Sequence, residues 1–454
     1  MPKIKMDPLA WIEYATDQDT FQEVNSQCKE IVSGFAKINN KRVAIYSHQP
    51  KVNQGFISSV GAQSILSIME LALEERIPLI SFMCSPGVSV KEGIKSADAY
   101  TKVIAMNIKI SGVIPQIALI MGTTMGAPAY SCTLMDFALF NKARSSLMVT
   151  GPGVIQKVMG RKTSIKKLGG AQVQSEVTGI SDIIDSNIQE QIDSLKKLLE
   201  FIPPNSQSIV KITPSQEPRD KMILPSGPKQ AYDIKNFINA IIDDSHLFEL
   251  KKDFAKSLLT GFSKIGGINY ALIANQSTSL GGAIDYKAAR KAARFIRFCN
   301  NFNIPLLNLI DVPGFMPGEE QEHNGLLRYG AQMCQSMQTT TLRLSVVVRR
   351  CYGAAAFLMM QTKNQGGDYV MALEKSSIAI MGYAAAKTML YDDNTDRSQD
   401  YYEQYESPKI ALKLGIIDEV IKPAQVRQRV IELTHKFKNK KFEKPLGRKH
   451  LSLP

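Results

Sequence analysis

The feature that most limits what this chain can fold into is a long internal repeat. Gly34-Phe-Ala-Lys-Ile38 returns as Gly261-Phe-Ser-Lys-Ile265, and Ile77-Pro-Leu79 returns as Ile304-Pro-Leu306, both displaced by 227 residues. The same offset pairs Asp17 with Asp244, Lys29 with Lys256, Ala44 with Ala271, Pro86-Gly87 with Pro313-Gly314, and Gly126-Ala127 with Gly353-Ala354. Further on the offset becomes 231, where Ser145-Ser-Leu-Met-Val-Thr-Gly151 matches Ser376-Ser-Ile-Ala-Ile-Met-Gly382, and a four-residue loop insertion accounts for the slip. Such a chain is built twice from one plan, and its 454 residues give each copy room for a core of its own.

Each half opens with a short apolar strand, Arg42-Val-Ala-Ile-Tyr46 or Asn269-Tyr-Ala-Leu-Ile273, followed by a polar loop and a segment of helical period. In the second half Ala288, Ala292, Phe295, Ile296 and Cys299 fall on one helical face and Arg290, Arg294 and Arg297 on another, which reads as a solvated basic face. Buried strands follow, Leu79-Ile-Ser-Phe-Met83 or Leu306-Leu-Asn-Leu-Ile310, then Gln116-Ile-Ala-Leu-Ile-Met121 or Leu344-Ser-Val-Val-Val348. Strand alternating with helix predicts βαβ crossovers, so the halves are two tandem α/β domains, 1–235 and 236–454, joined by the polar, proline-rich stretch 203–228.

Composition narrows the chemistry. The six cysteines are scattered without a C-x-x-C pair and read as small buried hydrophobes, and the five histidines show no spacing that puts two ligands on one helix face, so no metal site is expected. No apolar run approaches a membrane span and the first residues lack a secretory core, which gives a cytoplasmic expectation with no membrane partner. Part of the net charge of +13 lies in 435–444, a lysine-rich tail with few aromatics that reads as a solvated terminus rather than a nucleic-acid platform.

Two strand ends per half carry glycine turns, at Gly87 and Gly126 and again at Gly314 and Gly353, with the same 39-residue spacing. Glycine lets backbone approach a ligand closely, and a helix starting near Ala127 or Ala354 adds unpaired N–H groups and its positive dipole end. Together these make an oxyanion hole in each half, with no side-chain nucleophile required. There is no G-x-S-x-G elbow and no phosphate-cradling P-loop.

The stretch 282–299, with Phe302-Asn-Ile-Pro-Leu306 and Asp311-Val-Pro-Gly-Phe-Met-Pro-Gly318, resembles the carboxyltransferase (β) subunit of biotin-dependent acyl-CoA carboxylases, especially the propionyl-CoA type. The likeness continues through 111–122, Val149-Thr-Gly-Pro-Gly-Val154, Leu168-Gly-Gly-Ala171 and Gly447-Arg-Lys-His450. It implies two crotonase-like domains, an acyl-CoA on the first and biotin on the second domain of a neighbouring subunit, and a homo-oligomer, a dimer or a trimer of dimers. It further implies a partner that carries biotin carboxylase and biotin carrier functions. Carried over residue by residue, the thioester hole uses Gly87, Val88, Gly126 and Ala127, and the biotin hole uses Gly314, Phe315, Ala354 and Ala355.

This chain departs from the family pattern at three places. Ser85-Pro-Gly-Val-Ser89 stands where the family has Ser-Gly-Gly-Ala-Arg; Met125-Gly-Ala-Pro128 replaces Ala-Gly-Gly-Ala, and Pro128, paired by the repeat with Ala355, has no N–H to donate. Phe357 stands where the family has an aspartate beside the acyl group, which argues against plain propionyl-CoA specificity. The altered turns motivate two alternatives to a biotin-dependent carboxyltransferase: a biotin-independent acyl-CoA decarboxylase or acyltransferase, and a non-catalytic homologue that pairs with an active subunit.

Overall fold

The computed structural model describes residues 7–24, 28–208, 212–222, 224, 227, 230–337, 341–390, 396–438 and 440. Gly447–His450, which carried part of the resemblance, and parts of the 203–228 stretch lie outside the described residues. The chain forms two compact units, Met1–Ser208 and Ile209–Pro454. This division precedes the 235/236 boundary used above because Thr213 donates its N–H to the Gly267 carbonyl, and Met222 and Leu224 pack on the second core.

The first unit is built on a seven-stranded sheet whose spatial order follows the chain: Gln22–Val24, Ile31–Ile38, Lys41–His48, Leu79–Met83, Gln116–Ile120, Phe137–Asn141 and Ile183–Asp185. The second repeats this order with Phe248–Leu250, Leu258–Ile265, Ile268–Asn275, Leu306–Val312, Arg343–Tyr352, Tyr369–Leu373 and Glu419–Ile421, and adds an eighth strand, Ser377–Ala379, on the end of Arg343–Tyr352. Each sheet begins antiparallel and becomes parallel once helices supply the crossovers. From the second to the fifth strand of each sheet register follows the sequence repeat: Ala44 lies opposite Leu79 and Ala271 opposite Leu306, then Leu79 opposite Gln116 and Leu306 opposite Arg343, whereas the first strand pair is shifted by one, Gln22 facing Phe35 but Glu249 facing Gly261.

Local chemistry explains why both copies reach this register. The first hairpin turns at Asn39–Asn40 and its counterpart at Gly266–Gly267, all four at positive φ, the residue types a two-residue hairpin demands. Asp17 accepts both turn N–H groups of the first hairpin, at 3.0 and 2.8 Å. In the second it is Asp243, not the repeat-paired Asp244, that accepts the equivalent pair, at 2.9 and 2.8 Å, so the carboxylate is retained while its position moves by one residue. Helices Ser59–Glu75 and Tyr286–Asn301 start at equivalent N-caps, Ser58 and Asp285, which accept from Gly61 and Ala288.

The slip in the repeat lies in the second unit after helix Gly353–Met360, where a short turn, Lys363–Gln365, precedes Asp368. Asp136 and Asp368 nevertheless make the same bond, each carboxylate accepting from the first residue of the neighbouring strand, Gln116 at 2.8 Å and Arg343 at 2.7 Å. The two cores lie between sheet and helices: Ile65, Met69, Leu79, Tyr100, Ile120 and Phe140 in the first, Phe237, Tyr270, Leu309, Val346 and Leu433 in the second.

The basic helix differs from its sequence reading. Arg290 stacks 5.4 Å from the Tyr329 ring centroid and Arg297 is half-buried, so this face is partly covered within the unit rather than fully solvated. Of the cysteines, Cys132, Cys299 and Cys351 are buried, Cys28 and Cys84 are partly covered, and Cys334 is exposed. Among the described residues no helix is long and apolar enough to cross a membrane, and no cluster of side chains has the makings of a metal site.

Candidate active site

In parallel α/β sheets ligands bind beyond the carboxyl ends of the strands, and each unit brings both its glycine turns to that end. In the first, strand Leu79–Met83 runs into Cys84-Ser-Pro-Gly87, and the short strand Thr123–Met125 stops at Gly126. The Met125 N–H donates to the Ser85 carbonyl at 2.9 Å and stitches the two ends together. Gly87 has φ +134° and Gly126 φ +65°, and a Cβ on Gly126 would lie 3.7 Å from the Gly87 Cα, so the two turns touch. In the second unit Val312 and Cys351 remain paired, two residues ahead of Gly314 and Gly353, whose φ values are +145° and +66°.

The hydrogen bonds around these turns decide which donors are left for a ligand. Ile57 donates to the Gly87 carbonyl at 3.0 Å and accepts from Ser89 at 2.8 Å; Ile284 does the same with Gly314 and Met316, at 3.1 and 2.9 Å. That alternation turns the N–H groups of Val88 and Phe315 to the opposite side, where none of the hydrogen bonds of the described residues engages them. Ala127, first residue of helix Ala127–Leu134, is unengaged in the same way. The Gly87 N–H is occupied by the Ser85 hydroxyl at 3.2 Å and the Gly126 N–H by the Val149 carbonyl at 3.1 Å. Of the four first-half residues singled out in the sequence, two therefore shape the turns and two, Val88 and Ala127, offer donors.

In the second unit the helix begins one residue earlier, at Gly353, so Ala354 and Ala355 both lie in the first turn, where N–H groups have no intrahelical acceptor. Ala354 is exposed and Ala355 fully buried. Pro128, the counterpart of Ala355, is buried at the second position of its helix, a place that tolerates proline because the missing donor is one the helix does not use. Phe357 is 37 % exposed on helix Gly353–Met360, so it is not a core residue of its own unit.

Beneath the turns the units differ. In the second, the fully buried Asp311 carboxylate is held by Arg349 at 2.7 Å and Arg350 at 2.8 Å, its N–H reaches Asn275 at 3.3 Å, and Arg350 extends to the Gly281 carbonyl at 2.7 Å. At the equivalent positions the first unit has His48 and Cys84: the Cys84 N–H meets His48 Nδ1 at 3.3 Å, burial pushes the histidine down to about 3, and burial pushes the thiol up to about 11. Both groups are uncharged near neutrality and serve as packing. Asp311 appears in the sequence resemblance, whereas Arg349 and Arg350, which directly follow the apolar strand Leu344–Val348, carried no sequence signal of a role.

Each site also has a wall that follows the repeat. The Val149 carbonyl meets Gly126, and the Ile380 carbonyl would lie 3.5 Å from a Cβ on Gly353. Met125 packs on Gly151, and Tyr352 packs on Gly382. From these walls run helices Pro152–Met159 and Tyr383–Leu390, which start at positions 231 residues apart. The first has no buried residue and exposes Val154, Val158 and Met159; the second buries only Ala386 and exposes Met389 and Leu390. Beside Ser89 in the first unit an open cleft of about 470 Å³ is lined by Lys29, Val52, Val60 and Lys91 among others. The helix end there is already capped, Glu92 accepting from Ser59 at 2.7 Å and Glu30 from Ser58 at 2.9 Å.

Two duplicated crotonase-type units, each with paired glycine turns at the strand ends, define a carboxyltransferase fold, and the chain belongs to the carboxyl transferase domain family, whose match spans residues 41–452. Among its relatives, the carboxyltransferase subunit of propionyl-CoA carboxylase from Haloferax mediterranei is 32 % identical over 489 residues, covering 100 % of this chain and 94 % of that protein. The propionyl-CoA carboxylase beta chain of Cereibacter sphaeroides is 33 % identical and covers 98 % and 92 %. The crystal structure of the transcarboxylase 12S hexamer with methylmalonyl-coenzyme A and methylmalonic acid bound superposes with a TM-score of 0.94 at 30 % identity, over 99 % of this chain and 93 % of that one. The chain is thus a carboxyltransferase of the propionyl-CoA carboxylase type.

Proposed function

We propose that this protein moves a carboxyl group from carboxybiotin, presented by a separate carrier protein, to the α-carbon of an acyl-CoA. The observation that carries the reading is the duplicated pair of unengaged backbone donors: Val88 and Ala127 in one unit, Phe315 with the first turn at Ala354 and Ala355 in the other. Two enolates form in such a transfer, and each unit offers donors for one. In the second unit Phe315, Ala354 and Ala355 donate to the ureido oxygen as the bond between N1 and the carboxyl carbon breaks, releasing CO2 and leaving the electron pair on the ureido group. That group takes the α-proton of the thioester, Val88 and Ala127 hold the resulting enolate oxygen, and the α-carbon attacks CO2. Preorganised N–H donors cost no reorganisation as the charge develops, so no protein side chain is needed as base.

In this reading the acyl-CoA lies on the first unit, with the cleft at Lys29 and Lys91 beside its thioester, and biotin lies on the second unit of another copy. The apolar helices Pro152–Met159 and Tyr383–Leu390 support assembly of copies, because each leaves an uncovered apolar face beside a hole. The hexamer named for the transcarboxylase relative supports a trimer of dimers.

The test is incubation with a carboxylated biotin carrier and a panel of acyl-CoA thioesters, following carboxyl transfer into the acyl-CoA. Transfer to at least one thioester is expected. A second reading, a chain that assembles with an active homologue without itself catalysing, draws on Pro128 and predicts no transfer by the purified protein and recovery only when an active subunit is added.

A further inference from the structure

The two site walls follow one plan, yet among the hydrogen bonds of the described residues an ionisable group fastens the second and none fastens the first. In the first unit Met125 meets Gly151 through its thioether alone. In the second, Tyr352 takes Met125's place against Gly382, and a carboxyl group, Glu406, reaches the adjoining Tyr383 from a remote part of the chain. Glu406 is 6 % exposed and ends a π-helical segment, Tyr402–Glu406, a local irregularity frequent at functional sites. Its Oε1 accepts the Tyr383 N–H at 3.1 Å, next to Gly382, on which the Tyr352 ring and hydroxyl pack. Neighbouring residues hold the rest of the wall: the Tyr401 hydroxyl donates to the Met381 carbonyl at 2.9 Å and the Tyr402 hydroxyl to the Ser376 carbonyl at 3.2 Å. Arg397 donates its N–H to the Tyr383 hydroxyl at 2.8 Å.

We infer that segment 397–406 is a clamp for the second hole and that Glu406 is its positioning residue, fixing Tyr352 and the wall 380–383 beside Gly353. The geometry has two consequences for the site. Tyr352 immediately precedes Gly353, so holding its ring and hydroxyl fixes where the first turn of helix Gly353–Met360 aims its N–H groups. Tyr383 opens the helix that carries the exposed apolar face, so the same carboxyl ties the hole to that surface. A group of this kind acts through Tyr352 and Tyr383 and does not touch the substrate. Its loss should loosen recognition on one side of the reaction and leave the other untouched.

This inference rests on the reading of the second unit as the biotin side, and the experiment separates the two. Glu406→Ala, Glu406→Gln and Tyr352→Phe are compared with the parent in carboxyl transfer, with KM measured separately for the carboxylated carrier and for the acyl-CoA. Amide hydrogen exchange over 376–390 is followed alongside. Glu406→Ala should raise KM for the carrier about tenfold, the worth of one hydrogen bond, with kcat within about threefold and KM for acyl-CoA unchanged. It should also speed exchange over 376–390. Glu406→Gln, which still accepts the Tyr383 N–H, should recover most of both effects. Tyr352→Phe, the milder change should Glu406→Ala fail to fold, should raise the same KM by a smaller factor. A rise in acyl-CoA KM instead would keep the clamp and overturn the assignment of sides. Unchanged exchange over 376–390 in Glu406→Ala, or unchanged KM values for both substrates, would overturn the clamp, and the exchange measurement decides this even in a protein that transfers no carboxyl group.

Discussion

Ala127→Pro is the change that tests the first hole most directly, because it deletes one N–H and little else. Ala127 is the first residue of its helix, where proline's fixed φ is compatible with the helix and the lost donor had no intrahelical partner. The following residue is already Pro128, and the preceding Gly126, at φ +65° and ψ −140°, has no Cβ to meet the new ring. No neighbouring donor can take over: the Gly87 N–H is held by the Ser85 hydroxyl at 3.2 Å and the Gly126 N–H by the Val149 carbonyl at 3.1 Å, which leaves Val88 alone. Removing one of two oxyanion donors costs about 100- to 1,000-fold in kcat, or about 2.7–4 kcal/mol. Steady-state carboxyl transfer should therefore show that loss, with a melting temperature close to the parent's. Pro128→Ala, which restores an N–H at the next position, should change kcat by no more than a few-fold. Ala127→Pro retaining its rate within about threefold while folded would refute the hole built from Val88 and Ala127. A gain of two orders of magnitude in Pro128→Ala would show that the effective donor belongs at 128.

Other substitutions probe the scaffold and the substrate. Asp311→Ala strands the guanidinium groups of Arg349 and Arg350, both mostly buried, and should destabilise the protein by roughly 3–5 kcal/mol, a fall in melting temperature on the order of 10 °C by calorimetry. Lys291 is buried with its ammonium on the Lys251 and Phe254 carbonyls at 3.0 and 2.9 Å, and desolvation pushes it down to about 7. Between about 7 and the ordinary lysine value of 10.5 the unfolded chain binds more protons than the folded one, so unfolding free energy should rise with pH across that window. Chemical denaturation at pH 7 and pH 9 should show this rise in the parent and not in Lys291→Met. Phe357→Asp should shift relative kcat/KM toward propionyl-CoA by roughly 10- to 200-fold, and Phe357→Ala should admit longer chains. An unchanged ranking of thioesters in both folded variants would remove Phe357 from the acyl site.

Much of this architecture is a property of the sequence alone. Because a strand's register is fixed by which residues face the core, a repeat that preserves the apolar pattern at one offset also preserves pairing, and Ala44 with Leu79 is duplicated as Ala271 with Leu306. The glycine turns were legible for a related reason: Gly87, Gly126, Gly314 and Gly353 all adopt positive φ, a conformation that side chains rarely permit, so residue type reports backbone shape directly. Tertiary structure alone decided which backbone groups remain free. Whether Gly87 or Val88 offers its N–H depends on a bridge to Ile57 and on the Ser85 hydroxyl, and neither partner is implied by residue type. The same holds for the groups that brace the second site. Arg349 and Arg350 find Asp311, and Glu406 finds Tyr383, only because the sheet and a returning segment bring together residues remote in sequence. Periodicity and turn chemistry are local and can be read along the chain, whereas the pairing of a buried charge or the satisfaction of one N–H is a fact about neighbours that only the folded chain supplies.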